Sequence, residues 1–102
     1  MRIAVIGDYE SPTYKDLVQR VKILNPEEEV IDLSRHKTGG WKKMLEARFT
    51  DIGCAHRIAI SKDWHNHLDA KRDITQAQLL NKECFIDRDG EFRPFPEYAE
   101  RI

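Results

Sequence analysis

The chain is short of several things that would announce a function at once. Its 102 residues include only two cysteines, Cys54 and Cys84, each isolated. With no C-x-x-C pair, a thiolate metal site or a redox dithiol is not encoded, and both cysteines read as reduced, buried core residues. No apolar run approaches the roughly 20 residues of a bilayer-crossing helix, so no membrane association is expected. The opening Met1-Arg2-Ile3-Ala4-Val5-Ile6-Gly7-Asp8 has too short an apolar stretch and the wrong sequel for a signal peptide, which points to a cytoplasmic location. An excess of either charge is missing too. Lys and Arg number 17 against 18 Asp and Glu, a formal net charge of -1, which leaves no basic field for nucleic acid and no acidic tail. G-x-G-x-x-G and the P-loop are absent, as are internal repeats, low-complexity tracts and linkers.

What remains is a globular composition, 40% hydrophobic, of a length suited to one domain over residues 1–102. Four short apolar runs stand out: Ile3-Ala4-Val5-Ile6, Val30-Ile31-Asp32-Leu33, Ile58-Ala59-Ile60 and Cys84-Phe85-Ile86. The first and third are continuous, as in strands covered on both faces. The intervals carry helical spacing. Tyr14, Leu17, Val18, Val21 and Leu24 follow the i, i+3, i+4, i+7 rule, with Ser11 as N-cap, Pro12 as first helical residue and Asn25-Pro26 as the stop. In the second interval a Thr38-Gly39-Gly40 loop leads to a helical face of Trp41, Met44, Leu45 and Arg48, with Phe49 beside it. The third interval predicts a helix from about Asn66 to Asn81, capped by Asn66. Residues 87–102 read as a turn at Asp87-Arg88-Asp89-Gly90, a short edge strand from Glu91 to Phe95 and a tail that forms one helical turn.

Strands alternating with helices imply an α/β domain: a three-layer Rossmann/flavodoxin-like fold with a mostly parallel sheet of four to five strands in the order 2-1-3-4. In such a sheet ligands bind outside the carboxyl ends of the strands, where the crossover direction reverses. The loops expected there are Gly7-Asp8-Tyr9-Glu10-Ser11 and Ser61 to His67.

Asp73 lies close to that point. Ala70, Ile74 and Ala77 form the apolar stripe of the third helix, and Asp73 falls at its edge. A carboxylate on a buried stripe is disfavoured unless it is paired or has chemistry to perform. Asp69 and Asp73 are an i, i+4 pair. Mutual repulsion would hold a proton on one of them, which suits nucleophilic or acid/base duty, whereas Arg48, Lys71 or Arg72 could instead neutralise both. Gly7 and Asp8 would floor the pocket, and Tyr9 and Trp64 could stack on a ring. Arg48 and Arg57 could contact a phosphate. His65-x-His67-x-Asp69 has ligand types for zinc, but a loop or helix start aims the two imidazoles apart, and no metal site is assigned.

Three stretches carry a resemblance: Arg48-x-x-Asp51-Ile52-x-x-Ala55-His56-Arg57-Ile58-Ala59-Ile60, then Trp64-x-x-His67-x-Asp69-Ala70-x-x-Asp73, then Ala77-x-x-Leu80-Asn81-Lys82. The chain from about residue 1 to 87 resembles the nucleoside 2-deoxyribosyltransferase superfamily, in particular its small bacterial and phage members. The resemblance implies a nucleoside or nucleotide as partner and no cofactor. It also implies N-glycosidic cleavage or transfer, with the helix carboxylate attacking the anomeric carbon. Asp73 would be nucleophile, Asp69 or His67 acid/base or hydroxyl ligand, and Gly7, Asp8, Tyr9, Trp64 and Arg48 substrate contacts. A homodimer is a further implication, toward which the aromatic tail Phe92, Phe95 and Tyr98 points. The site departs from the family pattern at three places: Asp73 stands where the family has Glu, Asp69 where it has Gly, and His67 where it has Ser. Asp is one methylene shorter, so its carboxylate retreats by about 1.5 Å, in a setting where about 1 Å can cost on the order of a hundredfold in rate. The same resemblance is compatible with an inactive nucleotide-sensing or protein-interaction module whose Asp69 and Asp73 are neutralised.

Overall fold

The computed structural model describes residues 1–36 and 39–95. Among the described residues five strands form one sheet: β1 (Arg2–Ile6), β2 (Glu29–Asp32), β3 (Arg57–Ile60), β4 (Glu83–Arg88) and β5 (Glu91–Pro94), in the order β2-β1-β3-β4-β5. The first three neighbour pairs are parallel and β4–β5 is antiparallel, so the sheet is mixed. The change of direction is written in the hairpin. Asp89 (φ 53°) and Gly90 (φ 87°) both occupy the left-handed region, which a two-residue loop joining twisted strands demands. Asp87 then accepts the Gly90 amide at 3.0 Å and an Arg20 Nη2 donor at 2.6 Å.

Three helices fill the crossovers: α1 (Pro12–Leu24), α2 (Gly40–Cys54) and α3 (Leu68–Leu79). α1 packs against β1 and β2, while α2 and α3 pack against each other and both against β1. Right-handed crossovers put α1 on one face and α2 and α3 on the other, an arrangement compatible with three layers. β1 and β3 are interior strands, with Ala4, Val5 and Ile6 fully buried beside Ile58 and Ile60. Burial on both faces is why these two strands read as continuous rather than alternating apolar runs.

The punctuation of α1 is as the sequence implies. The Ser11 hydroxyl accepts the Tyr14 amide, Pro12 opens the helix and Asn25 closes it. Several expectations need correction. α3 begins at Leu68 rather than Asn66, because Trp64–Asn66 form a 3-10 turn and His67 takes the N-cap position without a side-chain bond. Trp41 is exposed, and the buried residues of α2 are Arg48 and Ile52, so the α2 stripe runs one turn further along than Trp41 suggested. Cys54 is exposed because it is the last residue of α2, and Cys84 is half-buried rather than core. Phe95 is buried rather than presented to a partner. Thr38 of the expected loop and the tail residues 96–102, Tyr98 among them, lie outside the described residues. Among the described residues no helix is long and apolar enough to cross a membrane.

Candidate functional site

The crevice between the loops after β1 and β3, where topology places a ligand, is closed. Ser61 donates its amide to Ile6 O at 2.8 Å, extending the ladder one step beyond the strands. A Cβ on Gly7 would stand 2.5 Å from Ser61 Cβ and 3.0 Å from the Tyr14 ring. Gly7 is therefore glycine to let two chain segments touch, not to floor a pocket. Asp63, which the sequence reading passed over, bolts the loops together. Its Oδ2 accepts Ser11 Oγ at 2.6 Å, and its Oδ1 accepts Ser61 Oγ at 2.6 Å and the Asp8 amide at 3.4 Å. Burial alone would raise the Asp63 carboxyl, but these donors outweigh it and hold the group below the usual carboxylate range. Asp8 takes part in this closure through its backbone. Trp64 turns away, edge-on to Phe95 at 5.4 Å, and seals the sheet beside β5.

The open space lies on the other side of the β1 loop. A cleft of about 350 Å³ is lined by Tyr9, Glu10 and Lys15 from the β1–α1 segment, and by Leu33, Ser34 and His36 from the turn after β2. Met44 and Arg48 of α2 and His67 and Asp69 at the start of α3 complete it. Its size is that of a small-ligand site, and its walls offer both charges and two imidazoles.

Asp73 sits at this cleft without lining it. Its side chain is fully buried. One oxygen, Oδ2, accepts the Tyr9 hydroxyl at 2.5 Å and Arg48 Nε at 2.8 Å. The other, Oδ1, is buried with no hydrogen-bond partner among the described residues. Arg48, itself only 4% exposed, also stands with Nη2 3.6 Å from Asp69 Oδ1 and its guanidinium carbon 5.5 Å from the centre of the Tyr9 ring. Burial pushes the Asp73 carboxyl above the ordinary carboxylate range, with Tyr9 and Arg48 opposing the rise and Asp69 adding to it. Burial beside Asp73 likewise drives the Tyr9 hydroxyl well above a free phenol. A charge this deep is tolerated because it is paired and hydrogen-bonded, and the same pairing covers it.

The sequence-derived site thus divides. Tyr9, Arg48, His67 and Asp69 come together around the cleft, with Asp73 behind them. Gly7, Asp8 and Trp64 belong to the closed crevice. Asp69 is the accessible acid, its side chain 37% exposed, with Arg72 Nη1 a further 3.8 Å from Oδ1. His67 packs edge-on to Tyr9 while His65 packs on Trp64, so the imidazoles do diverge. Among the described residues no group of three or more His, Cys, Asp or Glu side chains could hold a metal ion. Arg57 pairs with Glu28 at 2.6 Å, and it opens β3, at the sheet edge opposite the cleft. His36 has no evident constellation around it in the sequence, yet it is paired. Its Nε2 lies 2.5 Å from Asp51 Oδ2, a partner 15 residues away on α2. Only the facing of α2 toward the chain leaving β2 could have signalled it.

Comparison of the chain with protein-family models gives no match, and comparison with curated proteins and with solved structures gives none either. Fold and site on their own therefore define the class: an α/β domain with a polar cleft at the carboxyl edge of its sheet.

Proposed function

We propose that this chain is a nucleoside- or nucleotide-binding domain of the three-layer Rossmann/flavodoxin-like kind, and that it binds without using Asp73 as a nucleophile. The observation that carries the second half is the double capture of Asp73 Oδ2 by Tyr9 and Arg48 in a fully buried setting. A nucleophile must present a lone pair to the reacting carbon, and ligand atoms in the cleft meet Tyr9 and Arg48 first. Binding is supported by the cleft's size, its position at the carboxyl ends of parallel strands, and a lining that can serve both hydroxyls and a ring. Asp69 can accept from sugar hydroxyls, and the Tyr9 ring offers an edge or face to a base.

N-glycosidic cleavage is the second reading, favoured by one feature: Asp69 stands open at the cleft within one helical turn of Asp73, where a carboxylate could activate water. One experiment separates the two. Wild type, Asp69→Asn and Asp73→Asn are incubated with a panel of nucleosides and deoxynucleotides, and thermal stabilisation and base release are followed together. Stabilisation by at least one ligand, weakened in Asp69→Asn and without base release, is expected. Base release that disappears in Asp73→Asn while binding persists would restore Asp73 as nucleophile. No stabilisation by any ligand would overturn the binding reading.

A further inference from the structure

The sheet is covered unequally. α2 and α3 lie on one face, and α1 lies on the other, packed against β1 and β2. A strand parallel to β4 would have needed a crossover helix, but the β4–β5 hairpin needs none. Among the described residues, no second helix therefore joins α1 over β3, β4 and β5. Register tells which side chains stand there. Asp87 reaches Arg20 of α1, so Asp87 and Phe85, two places apart on β4, face α1. Ala59 is paired with Phe85 and Phe92 with Asp87, and paired residues share a face. Arg57, two places before Ala59, and its β1 partner Ile3 join them.

These side chains, with Val21 and Asn25 of α1, surround a hollow of about 220 Å³. An apolar cavity of about 150 Å³ holds benzene, so there is room for a ring with one substituent. Ile3, Val21 and Ala59 are buried, Phe85 and Phe92 are half-buried, and none of the exposed large hydrophobic residues lines the hollow. Its apolar surface is recessed. That fits a small molecule, not a protein partner, whose interface takes about 800 Å² a side.

Two polar side chains line it. Asn25 gives its side-chain amide to Val21 O at 3.0 Å. Arg57 gives Nη2 to Glu28 Oε1 at 2.6 Å, while its Nε is buried with no hydrogen-bond partner among the described residues. A guanidinium carries five N–H donors, so Arg57 has donors left for an acceptor oxygen. Its charge is already matched by Glu28. A carboxylate ligand would meet that second carboxylate and give up its own water. A carbonyl oxygen takes the hydrogen bond without either cost.

We propose that this hollow is a second binding site, for a small, flat, uncharged molecule: one ring bearing a carbonyl oxygen, with the ring against Phe85 and Phe92 and the oxygen on Arg57. The site does not rest on the proposed function, since Arg57 opens β3 at the end of the sheet opposite the cleft.

Benzamide is the probe, with toluene and benzoate as comparisons. Each is titrated into the full chain while labelled methyl groups are followed by NMR. Benzamide should shift the methyls of Ile3, Val21 and Ala59 and leave those of Leu33 and Met44, in the cleft, unmoved. Toluene and benzoate should each bind at least about tenfold more weakly, the first for want of an acceptor and the second for its charge. In Arg57→Met combined with Glu28→Met, which removes both charges together, benzamide should fall to the level of toluene. Ala59→Leu fills the hollow from β3 and should abolish the shifts at Ile3 and Val21. Should Ala59→Leu fail to fold, the double variant and the wild-type methyl map decide. Ile3 and Val21 methyls unmoved by benzamide, or shifts that persist unchanged in Ala59→Leu, would overturn the site. Toluene or benzoate binding as tightly as benzamide, or benzamide undiminished in the double variant, would overturn an uncharged ligand held by Arg57.

Discussion

Two spaces meet at the carboxyl edge of this sheet, one on each side of the β1 loop, and they have opposite fates. Toward β3, Asp63 accepts from Ser11, Ser61 and the Asp8 amide and the space closes. Toward β2, Asp73 accepts from Tyr9 and Arg48 below a cleft that stays open. Topology makes the β3 side, where the crossover direction reverses, the candidate for a ligand, yet the open space lies on the β2 side. The two carboxylates differ in whether both oxygens have donors. On Asp63 both do, and its carboxyl is held low. Asp73 has donors on one oxygen only, and burial carries it high.

The largest loss is expected at Arg48. Arg48→Met leaves Asp73 buried without its cation and should cost about 3–5 kcal/mol in chemical denaturation. Arg48→Met combined with Asp73→Leu should recover most of the loss, because the uncompensated charge is gone. Failure of the double variant to recover would mean that the pair is not the source of the effect. On the closed side, Gly7→Ala places a methyl at 2.5 Å from Ser61 Cβ and should cost about 1–3 kcal/mol, since the Ser61 Cβ and the buried Tyr14 ring cannot yield cheaply. Asp63→Ala strands the Ser11, Ser61 and Asp8 donors and should cost a similar 1–3 kcal/mol, roughly.

The two acids should also pull stability in opposite directions with pH. Asp63 is lowered by folding, so its contribution is fully present above the unfolded carboxyl range, near about 4, and is lost as pH falls through its folded value. Asp73 is raised by folding, so its contribution is present below that range and is lost as pH rises through its folded value. Denaturation curves from acid to neutral pH should therefore lose steepness on the acid side in Asp63→Asn. In Asp73→Asn they should lose the decline on the higher side. Shifts of the same sign in both variants would contradict the comparison. The smallest effect expected is at Trp64. Trp64→Phe keeps a ring against Phe95 and should leave ligand affinity unchanged, because the indole stands outside the cleft.

Much of the frame was legible in the residues. Continuous apolar runs at Ile3–Ile6 and Ile58–Ile60 marked central parallel strands. Ser11-Pro12 and Asn25-Pro26 bounded α1, and Asp89-Gly90 marked a turn whose positive φ values make β5 antiparallel. Asp73 was legible as an acid in an apolar stripe, and Arg48 as a candidate partner. What failed was the choice of side. Gly7 and Trp64 stand at the carboxyl ends of strands in sequence, yet where Gly7 is pressed depends on Ser61, and where Trp64 turns depends on Phe95. Asp63 and the His36–Asp51 pair depend on contacts between distant segments, which no local spacing encodes.

The claim that the β2-side cleft is the ligand site is tested most directly by amide and side-chain chemical-shift mapping of the full chain. The titrant is whichever nucleoside or nucleotide gives the largest thermal stabilisation. Tyr9, Ser34, His36, Arg48, His67 and Asp69 are expected to move, while Gly7, Ser61, Asp63 and Trp64 stay still. Movement concentrated at Gly7, Ser61, Asp63 and Trp64, with the cleft residues unmoved, would contradict it.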